Sequence, residues 1–296
     1  MKRIVAGVDI GGTNQTVAVA AADGRILDKC RLHSASGATA AELVTGVTAA
    51  LDDLLSSTGA PLSRIGVGFG GPVDFERGAI LTSHHVAAWD SYPLVEQLST
   101  RFGVPVILDN DANAGALGEA RFGAGMGHPH LIYLNIGTGI GAGLVLNGSI
   151  YRGGNGLAGE IGHITVNASP DARLCPCGKR GCLEAYASGR SIGERAGQPG
   201  QEVMAAARRG DLPSLAIIQE AAAYLGLALA GVTNTLDPSA IVIGGGVSEV
   251  GEILLAPLRV TLRAHLIPGM PVPLVLPAAL GYDAGVTGAV APALDT

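Results

Sequence analysis

The sequence predicts an α/β protein made of a duplicated domain, and a repeated pattern carries this prediction. Strand, glycine-threonine turn, strand, hairpin and strand occur in that order over residues 4–30 and again over residues 131–151. Segments with helical periodicity lie between the copies and after the second. We therefore expect two α/β domains with a cleft between them, the first over residues 1–112 and 282–296 and the second over residues 113–281.

The individual elements follow from the spacing of the apolar residues. Buried or half-buried strands are predicted at residues 4–10, 16–21, 25–30, 65–69, 104–108, 131–136, 140–146, 149–151 and 241–243. Helices are predicted at residues 40–56, from residue 93, at 215–232, at 252–266 with an interruption at Pro257, and at 282–294.

Composition and charge exclude several classes of protein. The chain has 296 residues, enough for two domains, and a net charge of −6 without a basic block, which argues against nucleic acid as a partner. No run of about 18 apolar residues indicates a membrane span. An acidic residue at position 9 comes too early for a signal peptide. The sequence therefore predicts a soluble, cytoplasmic protein.

Both glycine-rich turns have the composition of a phosphate-binding loop. Glycines let backbone N–H groups approach an anion, and a threonine hydroxyl adds a donor. Asp9 and Asn135 precede the two turns at matching positions, and an aspartate beside phosphates can hold Mg²⁺, usually through waters. A third glycine run, at residues 244–246, follows a buried strand. The chain has no Gly-x-x-x-x-Gly-Lys-Ser/Thr sequence, so it is not a P-loop enzyme.

A candidate catalytic carboxylate lies where a predicted strand meets a helix. The helix is expected to begin at Asn110 or Asp111, a position at which open α/β sheets bind their ligands. The helix N-terminus favours the ionised form of Asp111, which suits a general base that accepts a proton from an alcohol. This segment alone is equally consistent with a plain helix cap.

Three cysteines and one histidine form a candidate structural zinc site, because such a set completes a closed tetrahedron. The ligands would be His163, Cys175, Cys177 and Cys182. A disulfide is disfavoured by the odd number of thiols and the predicted reducing compartment. A saturated site does not activate water, so we expect the ion to position His163 and Glu184 beside Glu160. Together these side chains suit a polyhydroxylated ligand.

Five motifs together resemble the ROK family (repressors, open reading frames, kinases), and its sugar kinases in particular. They lie at residues 9–14, 110–113, 136–141, 159–163 and 175–189. The resemblance covers nearly the whole chain and implies the actin-like ATPase fold with two ribonuclease-H-like domains. It also implies an ATP-dependent hexose kinase that uses Mg²⁺ and forms a homodimer.

The resemblance implies a role for each matching residue. Asp111 would be the catalytic base that takes a proton from a sugar hydroxyl as it attacks the γ-phosphate of Mg·ATP. The sugar would be bound by Asn110, Glu160, His163 and Glu184. The nucleotide and its Mg²⁺ would be held by Asp9, Gly11, Gly12, Thr13, Asn14, Gly137, Thr138, Gly139, Gly244 and Gly245.

The chain departs from the family pattern at two places. Gly70 stands where the family often has proline, and His84 or His85 stands where it often has a sugar-binding asparagine shortly before Trp89. We expect His85 or His84 to replace that asparagine; alternatively, both histidines are exposed loop residues. These departures bear on the identity of the sugar and leave the chemistry unchanged.

The implied substrate is glucose, with N-acetylglucosamine or N-acetylmannosamine as the close alternatives. A sugar-responsive repressor is a remote alternative, because the first motif begins at residue 9 and leaves no room for a preceding helix-turn-helix domain. A non-catalytic sugar-binding protein is disfavoured by the intact Asp111 and by both phosphate turns.

Overall fold

The computed structural model describes residues 3–11, 14–34, 37–81, 89 and 92–295, and the secondary structure below refers to these residues. The chain forms two compact units. Unit 1 comprises Met1–Met126, Ile150–Ala158 and Tyr282–Thr296. Unit 2 comprises Gly127–Ser149 and Gly159–Gly281.

A five-stranded mixed sheet forms the centre of unit 1, with the order β3-β2-β1-β4-β7. The strands of unit 1 are β1 (Ile4–Ile10), β2 (Asn14–Ala21), β3 (Ile26–His33), β4 (Leu62–Phe69), β5 (Val73–Asp74), β6 (Ala79–Ile80) and β7 (Val106–Asn110). Strands β1, β2 and β3 form an antiparallel meander, and β4 and β7 add in parallel to β1. Strand β1 is an almost continuous apolar run because it lies in the middle of this sheet.

Three helices of unit 1 follow its strands along the chain: α1 (Ala40–Thr58), α2 (Leu94–Phe102) and α3 (Asp111–Phe122). Helix α1 begins with a capping box between Thr39 and Glu42 and ends at Gly59, which adopts a left-handed conformation. Its apolar stripe joins the core formed by the sheet and α2.

Unit 2 repeats the same sheet, with the order β10-β9-β8-β11-β12. Its strands are β8 (Leu131–Ile136), β9 (Ile140–Leu146), β10 (Ser149–Ile150, the last residue of which belongs to unit 1), β11 (Ala240–Gly244) and β12 (Leu274–Pro277). Strand β9 is antiparallel to β8, whereas β11 and β12 add in parallel. The hairpin after β9 has positive φ at Asn147 and Gly148, as a type I′ turn requires.

Six helices complete the fold, five in unit 2 and the last in unit 1. They are α4 (Glu184–Ala187), α5 (Gly189–Ala196), α6 (Gly200–Arg208), α7 (Leu212–Leu236), α8 (Glu252–Ala264) and α9 (Ala284–Leu294). Helix α9 packs closely on the sheet of unit 1. A Cβ at Gly66 of β4 would lie 1.7 Å from the Ala289 carbonyl oxygen, so this close approach requires glycine. A Cβ at Gly288 would lie 1.6 Å from the Ala114 carbonyl oxygen of α3.

The two sheets share one connectivity, so the predicted duplication and the predicted ribonuclease-H-like topology are confirmed. The division of the chain differs from the expected one in its boundaries. Residue 112 lies inside helix α3, which stays in unit 1, and the segment Ile150–Ala158 returns to unit 1 between two parts of unit 2.

One sequence prediction concerning a helix is corrected. Helix α8 runs through Pro257 without interruption, because loss of one backbone donor is tolerated when the helix packs against α7. Among the described residues, one helix, α7, is long and apolar enough to span a membrane by length and composition alone. Its residues Ile218, Leu225 and Leu229 are buried in unit 2, as expected for the core helix of a soluble protein.

Candidate active site

Asn110 closes the N-terminus of helix α3 at the end of strand β7. Its Oδ1 accepts hydrogen bonds from the backbone N–H groups of Ala112 (2.9 Å) and Asn113 (3.3 Å), and its Nδ2 donates to the Gly71 carbonyl oxygen (3.1 Å). The helix therefore begins where the sequence predicted, with Asp111 as its first residue. Asn110 is thus the helix cap, and in the first turn Asp111 Oδ1 also accepts a hydrogen bond from the N–H of Ala112 (2.8 Å).

Two carboxylates approach each other in unit 1 because glycines line the space between their strands. Gly68 of β4 is paired with Asp9 of β1 on one side and with Asp109 of β7 on the other. A Cβ at Gly68 would lie 3.6 Å from the Asp111 Cα and 3.7 Å from the Asp9 Oδ1. A Cβ at Gly70 would lie 3.4 Å from the Asp111 Oδ2, so a side chain there would crowd the carboxylate.

Burial and the nearby charge of Asp111 raise the pKa of Asp9 from 3.8 to about 7, against the opposing influence of Arg31. Asp9 is thus a half-buried carboxylate with a second carboxylate close to it. Mg²⁺ is usually held by one or two carboxylates together with water and substrate phosphates. The pair formed by Asp9 and Asp111 therefore has the donor chemistry that this ion needs.

The glycine turn between β1 and β2, the first candidate phosphate-binding turn, is described only in part. The backbone N–H of Gly11 donates to the Asn14 carbonyl oxygen (3.0 Å), which closes a tight turn between β1 and β2. Gly12 and Thr13 lie outside the described residues. The same holds for His84 and His85, so their predicted contact with the sugar remains a prediction.

The glycine turn between β8 and β9, in unit 2, is supported by Glu184. The N–H of Gly137 donates to the Gly139 carbonyl oxygen (3.0 Å), and Glu184 Oε2 accepts from the N–H of Ile140 (2.9 Å). A Cβ at Gly139 would lie 2.6 Å from that same Oε2. Arg190 Nη2 lies 3.8 Å from the other oxygen of Glu184. Glu184 was predicted to bind sugar, and its contact with this turn was not foreseen.

The third glycine run follows strand β11 and packs against the end of β8. Gly245 has φ +83°, and a Cβ there would lie 2.5 Å from both the Asn135 Oδ1 and the Ile136 carbonyl oxygen. Gly244 is paired with Asn135 across the sheet. Only glycine therefore fits at position 245, and the run lies beside β8, the strand that leads into the glycine turn of unit 2.

The cysteine cluster of unit 2 has the dimensions of a tetrahedral metal site. The ligand atoms of His163, Cys175, Cys177 and Cys182 all lie within 4.8 Å of one another. Cys177 Sγ is 3.7 Å from Cys182 Sγ, and Cys175 Sγ is 3.7 Å from His163 Nδ1. Zn–S bonds of about 2.3 Å in a tetrahedron place thiolates about 3.8 Å apart, so the set fits zinc.

Burial raises the pKa of the Cys175 thiol to about 12 and also raises the pKa of the Cys182 thiol. A bound cation would reverse this preference, because a coordinating thiol is deprotonated. The second ring nitrogen of His163, Nε2, lies 3.7 Å from Glu160 Oε2. His163 therefore has Cys175 on its Nδ1 side and Glu160 on its Nε2 side.

Fold and site together define the class of protein: an actin-like ATPase fold whose carboxylates and glycine turns suit phosphoryl transfer. The sequence model of the ROK family matches residues 5–296, and the chain belongs to that family. A glucokinase from Halalkalibacterium halodurans is 38% identical, with 95% of this chain and 92% of that protein aligned. A glucokinase from Streptomyces coelicolor is 35% identical, over 96% and 95% of the two chains.

Solved structures are similar over the same extent. The ROK family glucokinase from Streptomyces griseus, in complex with glucose and AMPPNP, is 37% identical with a TM-score of 0.83, covering 97% of this chain and 98% of that one. Xylose repressors also match, but over a smaller part: the one from Bacillus subtilis is 33% identical over 77% of this chain and 60% of its own length.

Proposed function

We propose that this protein is an ATP-dependent glucokinase that transfers the γ-phosphoryl group of Mg·ATP to glucose and forms glucose 6-phosphate. The observation that carries the proposal is the approach of Asp9 and Asp111 around glycines at the ends of β1, β4 and β7. Similarity to glucokinases over nearly the whole chain supports the same substrate.

Asp111 would act as the general base. It lies in the first turn of helix α3, where the helix N-terminus stabilises the carboxylate form that must accept the proton. As the sugar hydroxyl attacks the γ-phosphorus, its proton passes to an Asp111 carboxylate oxygen and the bond to the β-phosphate oxygen breaks. Phosphoryl transfer needs little covalent chemistry from the protein, so positioning and charge stabilisation dominate.

Asp9 would hold Mg²⁺ through water, and the ion would supply charge neutralisation for the phosphates. The turn that begins at Gly11 and the turn at residues 137–139 would offer backbone N–H groups to phosphate oxygens. Glu184 would keep the second turn in shape through its bond to the Ile140 N–H. Gly244 and Gly245 would flank the nucleoside.

The sugar would be bound by the carboxylates of Glu160 and Glu184 and by His163, which a structural zinc ion would fix through Nδ1. Asn110 Oδ1, which already accepts hydrogen bonds from two backbone N–H groups, would also accept one from a sugar hydroxyl. We also propose that the protein is a cytoplasmic homodimer, and light scattering of the purified chain tests the oligomeric state.

A coupled ADP-release assay tests the proposed substrate. Mg·ATP would be offered with glucose, N-acetylglucosamine, N-acetylmannosamine, mannose and fructose at equal concentrations. The highest kcat/KM is expected with glucose. A clear preference for N-acetylmannosamine would instead indicate an N-acetylmannosamine kinase. A solved structure with that putative activity, from Listeria monocytogenes, is 27% identical to this chain with a TM-score of 0.80. Absence of turnover on all five sugars would refute the proposal.

A further inference from the structure

A buried carboxylate next to the catalytic residues has no part in the mechanism above. Asp109 is the penultimate residue of β7, and its side chain is only 6% exposed. Its Oδ1 accepts hydrogen bonds from the Asn110 backbone N–H (2.8 Å) and from the Asn113 Nδ2 (2.9 Å). Asp109 thus contacts both the cap of helix α3 and its first turn, on either side of Asp111.

The other oxygen of Asp109 is held by a single arginine. Arg152 donates to Asp109 Oδ2 from Nη2 (2.6 Å) and from Nε (3.1 Å). The same guanidinium group lies 3.6 Å above the centre of the Phe75 ring, and the Arg152 side chain is 27% exposed. A buried carboxylate is costly unless it is paired, and the planar guanidinium fork provides both charge and direction.

Arg152 belongs to a short loop that is fastened to unit 1. The Ala158 N–H donates to the Arg152 carbonyl oxygen (3.0 Å), which closes the loop on itself. A Cβ at Gly156 would lie 3.5 Å from the Val73 carbonyl oxygen, so the loop packs against strand β5. The segment Ile150–Ala158 therefore joins unit 1, although unit 2 contains the chain before and after it.

We infer that Arg152 is a positioning residue for phosphoryl transfer, acting through Asp109 on the start of helix α3 that presents Asp111. The inference rests on the proposed function, because it assigns Asp111 as the base. Arg152 neutralises Asp109 and fixes the plane of its carboxylate. That carboxylate in turn holds the Asn110 peptide N–H and the Asn113 side chain, and so fixes the first helical turn.

Loss of this arrangement should affect the rate more than binding. A shift of about 1 Å in a reacting group can lower a rate on the order of 100-fold. Among the described residues, Arg152 pairs with Asp109 and stacks on Phe75. The glycine turns and Glu184, which would bind the substrates, should therefore remain in place. We expect Arg152→Gln to lower kcat roughly 10- to 100-fold, with the KM values for glucose and ATP changed less than about threefold. Arg152→Lys, which keeps the charge but loses the fork, should give an intermediate kcat.

The chain offers a matched control in a second arginine-aspartate pair. Arg101 Nη2 lies 2.6 Å from Asp52 Oδ2, the same distance as in the Arg152 pair, but these side chains are 56% and 41% exposed. Arg101→Gln should leave kcat unchanged within about twofold, because exposed ion pairs contribute little. Each kcat is divided by the number of glucose-binding sites measured by calorimetry, so that partly unfolded protein does not count as a slow enzyme.

The possible results separate the inference from the function on which it rests. An inactive wild-type enzyme would refute the proposed function, whereas an active wild type with Arg152→Gln as fast as Arg101→Gln would overturn only the positioning role. A fall in kcat per binding site with partial recovery in Arg152→Lys supports it. If Arg152→Gln does not fold, Arg152→Lys takes its place, because it keeps a cation beside Asp109 but loses the two-pronged contact with Oδ2. A several-fold lower kcat per binding site in Arg152→Lys supports the inference, and an unchanged kcat overturns it.

Discussion

Replacement of Asp9 by asparagine should stabilise the protein in the absence of ligands, even though it removes a group that the reaction needs. Burial and the charge of Asp111 raise the pKa of Asp9 from 3.8 to about 7. Between these pH values the folded protein keeps a proton that the unfolded chain has lost. The free energy of unfolding therefore falls as the pH rises through this window, and the penalty is complete above pH of about 7.

The size of the effect follows from the shift. A shift of one pKa unit corresponds to 1.36 kcal/mol, so a displacement of about three units corresponds to at most about 4 kcal/mol. Relaxation of the surroundings reduces this, and we expect about 2–4 kcal/mol at pH 8. The side chain introduced by Asp9→Asn is neutral at every pH, so the advantage of this variant over the wild type should be near zero at pH 4 and full at pH 8.

Urea unfolding of both proteins at pH values between 4 and 8 measures this difference directly. The subtraction removes the contributions of all other titrating groups, which the two proteins share. Asp53→Asn serves as the control, because it makes the same change at an exposed residue of helix α1. A pH-independent difference for Asp9→Asn would refute the argument that Asp9 is destabilised by burial and by Asp111.

Three further predictions concern the packing of two helical glycines, the metal site and the binding of glucose by Glu184. Gly288→Ala should destabilise the protein by about 3 kcal/mol or more in urea unfolding, because the added Cβ would lie 1.6 Å from the Ala114 carbonyl oxygen. Gly231→Ala is the control: no atom lies within 4 Å of the added Cβ, so it should stabilise the protein by about 0.5–1 kcal/mol. Equal effects of the two substitutions would contradict the packing argument. Cys182→Ser should abolish stoichiometric zinc in elemental analysis and lower the melting temperature, whereas full retention of zinc would refute the four-ligand site. Glu184→Gln, which keeps an acceptor for the Ile140 N–H but loses the charge, should raise the KM for glucose about tenfold in steady-state kinetics, and an unchanged KM would exclude Glu184 from the sugar site.

The sequence predicted those elements whose signal is local. Strands β1 and β8 have the bounds expected from their apolar runs, since a glycine turn follows each of them. The start of helix α3 was also placed correctly, because Asn110 is a strong capping residue. The interruption expected at Pro257 was wrong, since packing of α8 against α7 outweighs the loss of one hydrogen bond.

Features that depend on distant residues could not be predicted in this way. The return of the segment Ile150–Ala158 to unit 1 involves the ion pair between Arg152 and Asp109, which are 43 residues apart. Likewise, Glu184 meets the Ile140 N–H across 44 residues. Neither contact has a periodicity or a turn motif that marks it in the sequence. The Asp-Asn-Asp run at residues 109–111 is the local signal at Asp109, and it does not indicate which aspartate is paired with an arginine.

The most direct test of the account is the turnover of Asp111→Asn, compared with its affinity for glucose. Amide and carboxylate have nearly the same shape, so the substitution removes the proton acceptor and leaves the start of helix α3 intact. We expect kcat to fall about 10²- to 10⁴-fold, the contribution typical of a general base, while calorimetry gives a glucose Kd within a few-fold of the wild type. A kcat within a few-fold of the wild type would contradict the assignment of Asp111 as the base.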